Sequence, residues 1–175
     1  MRKIAGLILL IPLCPLVGEE SVKLDTPEVR VIDAVNSPGQ RSALHRHDVN
    51  RVMIYLDGGH MTLTDPQGQV QDVRWKPGDV RWSPAGGQHI SENVGSTTYR
   101  IVEVELKNAP GSLPASQLDP VQVAPDNYKV EFENPQVRVL RVRYGPHEAG
   151  PLHEHILNRV IVYLTDAKVK VTNAR

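Results

Sequence analysis

From residue 29 onward the chain is written in short apolar runs separated by turn residues. Residues 29–35 and 52–56 are rich in β-branched and aromatic side chains, which suit a pleated, half-buried surface. Residues 99–106 alternate apolar and polar positions, the period-two pattern of a strand with one face buried. Between the runs stand Asp57-Gly58-Gly59, Pro66-Gln67-Gly68 and Lys76-Pro77-Gly78-Asp79, combinations that turn a chain sharply. No stretch sustains a helical period. The pattern predicts an all-β architecture of antiparallel strands.

The chain also repeats itself. Pro27, Val29, Arg30 and Val31 recur as Pro135, Val137, Arg138 and Val139; His45 and His47 recur as His153 and His155; Asn50, Arg51 and Val52 recur as Asn158, Arg159 and Val160. The offset is always 108, without gaps, and 14 of the 38 positions from 27 to 64 are identical to their counterparts. Such self-similarity implies two copies of one structural unit. Four segments are therefore expected: a leader over 1–18, a complete unit over 19–107, a proline-rich linker over 108–125 and the start of a second unit over 126–175. The counterpart of position 89 would be 197, past the last of the 175 residues. The expectation is a fragment whose second sheet has open edges, a liability unless something else closes it.

Composition narrows the function classes. Apolar residues make up 40% and charged residues 23%, enough for an ordinary core. With 20 basic and 20 acidic side chains the formal charge is zero. No cationic block is present to displace counterions, which argues against nucleic-acid binding. A single cysteine, Cys14, permits no internal disulfide. It sits in an apolar run that follows Arg2 and Lys3 and is interrupted by Pro12 and Pro15. That run is short and broken for a membrane-spanning helix and fits a secretory leader. Export with cleavage near Gly18, leaving no stable membrane span, makes the product secreted or periplasmic. A lipoprotein acylated on Cys14 and a retained anchor are the alternatives.

The candidate chemistry is carried by histidine. His45 and His47 are two residues apart, and on a strand that spacing aims both imidazoles to one side. Farther on, Gly78, Pro84 and Gly86 lead to His89 and Asn93, so a turn can bring His89 onto a facing strand.

These residues resemble the two sequence motifs of the cupin superfamily. The first motif runs from a glycine through a pair of alternate histidines and a glutamate to a second glycine; here stand Gly39, His45, His47 and Gly58. The second runs through glycine, proline, glycine, histidine and asparagine; Gly78, Pro84, Gly86, His89 and Asn93 match every fixed position. The resemblance spans 27–107 fully and 135–175 in part. It implies a jelly-roll β-barrel with His45, His47 and His89 as ligands of a divalent transition metal such as iron, zinc, manganese, copper or nickel.

One ligand is missing. The motif's glutamate falls on Arg51 or Val52, and neither side chain can coordinate a cation; Asn50 offers only a weak amide oxygen. Arg51 reads either as half of an ion pair or as a clamp for a substrate carboxylate. Trp75 and Trp82 flank the second motif as packing residues, and Arg51 and Trp82 are the ligand-binding candidates. Asp48 and Glu92 are acid–base candidates by nearness alone. His60 and His147 receive no role, and His153 and His155 lack a third partner.

Three functions follow. One is a metal-dependent enzyme (an oxygenase, isomerase or lyase) acting on a small molecule; the others are a non-catalytic small-ligand binder and a metal-free structural domain. A homo-oligomer fits each of them.

Overall fold

The computed structural model describes residues 19–112 and 114–173; the expected leader lies outside them. Eleven strands follow in chain order: β1 (Glu19–Asp25), β2 (Val29–Asn36), β3 (His45–His47), β4 (Asn50–Tyr55), β5 (Gly59–Thr64), β6 (Val70–Trp75), β7 (Val80–Ser83), β8 (Gly86–Asn93), β9 (Tyr99–Leu106), β10 (Tyr128–Asn134) and β11 (Val137–Val142). One helical turn, α1 (Pro120–Val123), interrupts the proline-rich linker. Asp119 caps it by accepting the Val121 N–H at 3.0 Å.

Every strand pairing is antiparallel. A five-stranded sheet in the order β1-β2-β9-β4-β7 faces a four-stranded sheet in the order β3-β8-β5-β6. The two sheets make the double-layered jelly roll that the turn-rich pattern and the motifs imply. Where the chain must reverse tightly, glycine takes the left-handed backbone: Gly78 has φ 82°, and its N–H donates to the Tyr55 carbonyl at 2.7 Å. A side chain there would be strained.

Two apolar clusters lie on opposite faces of the five-stranded sheet. Between the sheets, Met53, Tyr55, Trp75, Tyr99 and Ile101 are buried together. The Trp75 indole N–H donates to the Asp57 carbonyl at 2.8 Å, so its polar edge is satisfied inside the core. On the other face, Val31, Val52, Ile54, Val104 and Leu106 form a second cluster, over which Phe132, Val137 and Val139 of the β10–β11 hairpin pack.

This arrangement corrects the reading of residues 99–106 as half-buried. β9 is the central strand, flanked by β2 and β4, and both its faces are covered. Val102, Val104 and Leu106 belong to the outer cluster, while Tyr99 and Ile101 belong to the inner one. The alternating Glu103 therefore faces the space between the sheets rather than water, because alternate residues of a strand share a face.

The offset of 108 recurs in the strand registers. Val22 pairs with Ile32 and Leu24 with Val31, with an irregularity between them. Val130 pairs with Leu140 and Phe132 with Val139, with the irregularity at the corresponding place. Beyond β11 no further strand forms among the described residues, and Tyr163, Val169 and Val171 are largely exposed.

Two outcomes follow. Ile101→Ala should lower stability by about 3 kcal/mol in urea denaturation, the usual cost of emptying a buried aliphatic site. Amides of residues 156–173 should exchange with solvent far faster than those of β2, β4 and β9, since exposed backbone without a ladder opens locally; equal protection would contradict the arrangement described here.

Candidate metal centre

The three histidines meet because β3 pairs with β8. His45 lies directly opposite His89, and His47 opposite Gly86 after a register shift. The spacing of His45 and His47 puts both rings on the side where His89 arrives. Ring centroids are 4.9 Å apart for His45 and His47, 4.5 Å for His45 and His89, and 5.5 Å for His47 and His89. One nitrogen from each ring can be chosen so that all lie within 4.8 Å of one another.

The surroundings fix the chemistry of those nitrogens. His45 Nδ1 lies 2.9 Å from the Ala43 carbonyl. A carbonyl only accepts, so Nδ1 is the donor in that contact. Such outer partners orient an imidazole for coordination. Burial pushes the His47 imidazole down to about 3, with further contributions from Arg51 and the other two rings. Burial first, then His45 and Arg51, lowers His89. Both rings are thus neutral near pH 7 and can donate electron pairs.

The structure decides where the missing glutamate would have stood. Val52 belongs to the outer cluster, so Arg51 points between the sheets. Arg51 is 6% exposed. One terminal nitrogen donates to Glu103 at 2.6 Å and the other to the Ser83 hydroxyl at 3.0 Å. Its Nε is buried without a partner. Burial raises the Glu103 carboxyl, and the guanidinium opposes that shift. The proposed anion clamp is therefore already occupied by a carboxylate of the protein, and its Nε–H is sealed from solvent.

Other candidates are placed elsewhere. Trp82, proposed as a ligand contact, packs on the outer cluster, with its ring 6.4 Å from Phe132; strand alternation turns it away from the histidines. The Asn50 oxygen accepts the Ala85 N–H at 2.7 Å, and its amide donates to Gln136 at 2.8 Å. Asp48 pairs with Arg46 at 2.7 Å on the rim. Glu92, on the strand face opposite His89, approaches Arg41 at 3.9 Å. Asn93 is structural: 1% exposed, it donates to the Asn36 and Thr97 carbonyls at 3.0 Å each and accepts the Gly95 N–H at 2.9 Å.

Comparison with solved structures agrees with this architecture. A cupin domain from Bordetella pertussis Tohama I superposes with a TM-score of 0.50 at 26% identity, covering 53% of this chain and 95% of the other. This chain belongs to the cupin superfamily. A double-stranded β-helix protein from Klebsiella pneumoniae matches with a TM-score of 0.44 at 22% identity, over 61% of this cupin and 91% of that protein. No protein-family model and no curated protein matches the sequence.

Glu103, Ser83 and the Ala43 carbonyl were missed as parts of the site. A signal existed for Glu103: it shares its strand parity with Tyr99 and Ile101, so a carboxylate was bound to face whatever those residues face.

The depressed His47 gives a pH signature in the metal-free protein. Unfolded His47 takes a proton near its usual 6.5, whereas folded His47 stays neutral down to about 3. Across that window the unfolded state binds more protons, so this residue's effect is to reduce stability as pH falls. His47→Gln should gain stability relative to the unsubstituted protein as pH drops from 6.5 toward 3, measured by urea midpoints; a constant difference between the two would refute the assignment.

Proposed function

We propose that this cupin is an exported protein that binds a divalent transition metal through His45, His47 and His89 and takes a small-molecule ligand at that centre. The observation that carries the reading is the convergence of three imidazole nitrogens within 4.8 Å, two of the rings held neutral by burial. Imidazole donors suit zinc, copper, iron and nickel. A metal held there would supply Lewis-acid or redox chemistry at its open positions.

The chain's own residues prepare the site. The Ala43 carbonyl orients the His45 ring, and burial lowers the His47 imidazole. An open hollow of about 310 Å³ beside His47 is bounded by Arg46, Asp48, Gly86, Gly87 and Gln88. A metal-dependent reaction on the small-molecule ligand is the enzyme form of this proposal.

Elemental analysis of the purified protein tests it. About one transition metal per chain is expected, falling at least about tenfold in His89→Ala, since loss of even an outer partner can cost that much. The strand signal in circular dichroism should persist, because the core is apolar. Wild-type protein that takes up no transition metal at neutral pH would favour a metal-free ligand-binding or structural cupin. Export rests on the basic-then-apolar residues 1–18. Intact mass from the producing cell should show them removed; a cytoplasmic product still starting at Met1 would refute it.

A further inference from the structure

The repeat carries a second pair of alternate histidines, and the sequence pattern leaves it without a third partner. The fold brings one to it. His153 and His155 hold the geometry of His45 and His47: their ring centroids are 5.0 Å apart at 89°, against 4.9 Å at 88° in the first pair. His153 Nδ1 lies 2.9 Å from the Pro151 carbonyl, as His45 Nδ1 does from that of Ala43. Its other nitrogen, Nε2, faces the Tyr128 hydroxyl at 3.1 Å. The Tyr128 ring stands 5.2 Å from the ring of His153 and 6.0 Å from that of His155.

Strand register explains why a tyrosine of the β10–β11 hairpin reaches the pair. Tyr128 is opposite Val142, and Phe132 is opposite Val139. The irregularity between Val130 and Phe132 shifts the strand by one residue, so side chains before and after it face opposite ways. Phe132 and Val139 pack on the outer cluster. Tyr128 is thereby turned to the other face, where His153 and His155 lie. It is 7% exposed, so its hydroxyl is presented from a fixed place. Asp119 and Arg159 lie near enough for their opposite charges to act on His155. Asp119 is held by Arg138 at 2.6 Å. Arg159 is exposed, unlike its buried counterpart Arg51, so water weakens its effect on a cation.

We propose that His153, His155 and Tyr128 form a second metal site, separate from the three-histidine centre, that takes copper(II) through two imidazole nitrogens and the Tyr128 phenolate oxygen. Mixed nitrogen and oxygen donors suit copper(II), which also heads the affinity order of the divalent first-row ions. A ligand must shed its proton to coordinate: the Tyr128 O–H bond breaks, the proton passes to solvent and an O–Cu bond forms, with no change of oxidation state. The three-histidine cluster has imidazole donors alone. Absorption from charge transfer between a phenolate and copper therefore reports the second site and not the first.

The test titrates the full chain with copper(II) at neutral pH, following visible absorption and bound copper. A copper equivalent beyond that of the three-histidine centre is expected, and the phenolate absorption should saturate with it. Tyr128→Phe keeps the ring and its packing; it should abolish the absorption and weaken this copper at least about tenfold, more than an outer partner of a metal is worth. His155→Gln, at an exposed position, should do the same. Tyr144→Phe, whose ring is 6.1 Å from that of Tyr128, should leave the absorption intact, as should His89→Ala. Wild-type protein saturated with copper but lacking the absorption overturns the proposal, and so does absorption that survives Tyr128→Phe or is lost in Tyr144→Phe. If Tyr128→Phe does not fold, a folded His155→Gln with undiminished absorption overturns it equally. Any of these results leaves the three-histidine reading standing, whereas a single copper that brings the phenolate absorption supports this site and overturns the first.

Discussion

The molecule depends on β9 being covered on both faces. Its ladder partners β2 and β4 lock it laterally. Its even positions hold the outer cluster beneath the β10–β11 hairpin, and its odd positions hold the inner cluster between the sheets. A strand in that situation has little freedom of register, since a slip of one residue would exchange the two faces. Arg51 owes its place to this constraint: β4 is fixed against β9, so Arg51 and Glu103 face the same interior and meet.

The opposing sheet carries the donors, and there the motif residues divide their work. Gly78 turns the chain and the Asn93 side chain binds three backbone groups, at Asn36, Gly95 and Thr97. Asn93 ends β8, and the pairing of β8 with β3 sets His89 opposite His45. The three histidines thus come from one sheet, while the Arg51–Glu103 pair comes from the other.

The second half of the chain shows how local pattern and tertiary completion differ. The β10–β11 hairpin repeats the register of β1–β2, including its irregularity, and packs its apolar face onto the outer cluster. His153 repeats even the carbonyl contact of His45, with Nδ1 2.9 Å from the Pro151 carbonyl. Residues past β11 retain strand-like composition yet form no ladder among the described residues. A strand needs a neighbour for its hydrogen bonds, and composition does not provide one.

Sequence alone determined the strands, the turns, the all-β class and the identity of the three histidines. Those features depend on short-range rules: side-chain alternation, glycine backbone freedom and the fixed spacing of the two motifs. The tertiary structure decided which faces were buried. It turned Trp82 toward Phe132 and away from the site, placed Arg51 rather than Val52 in the interior, and brought in Glu103 from 52 residues away to occupy the guanidinium. A period-two pattern assigns residues to two faces without saying what lies over either. Burial and charge pairing across distant strands exist only once the sheets are stacked.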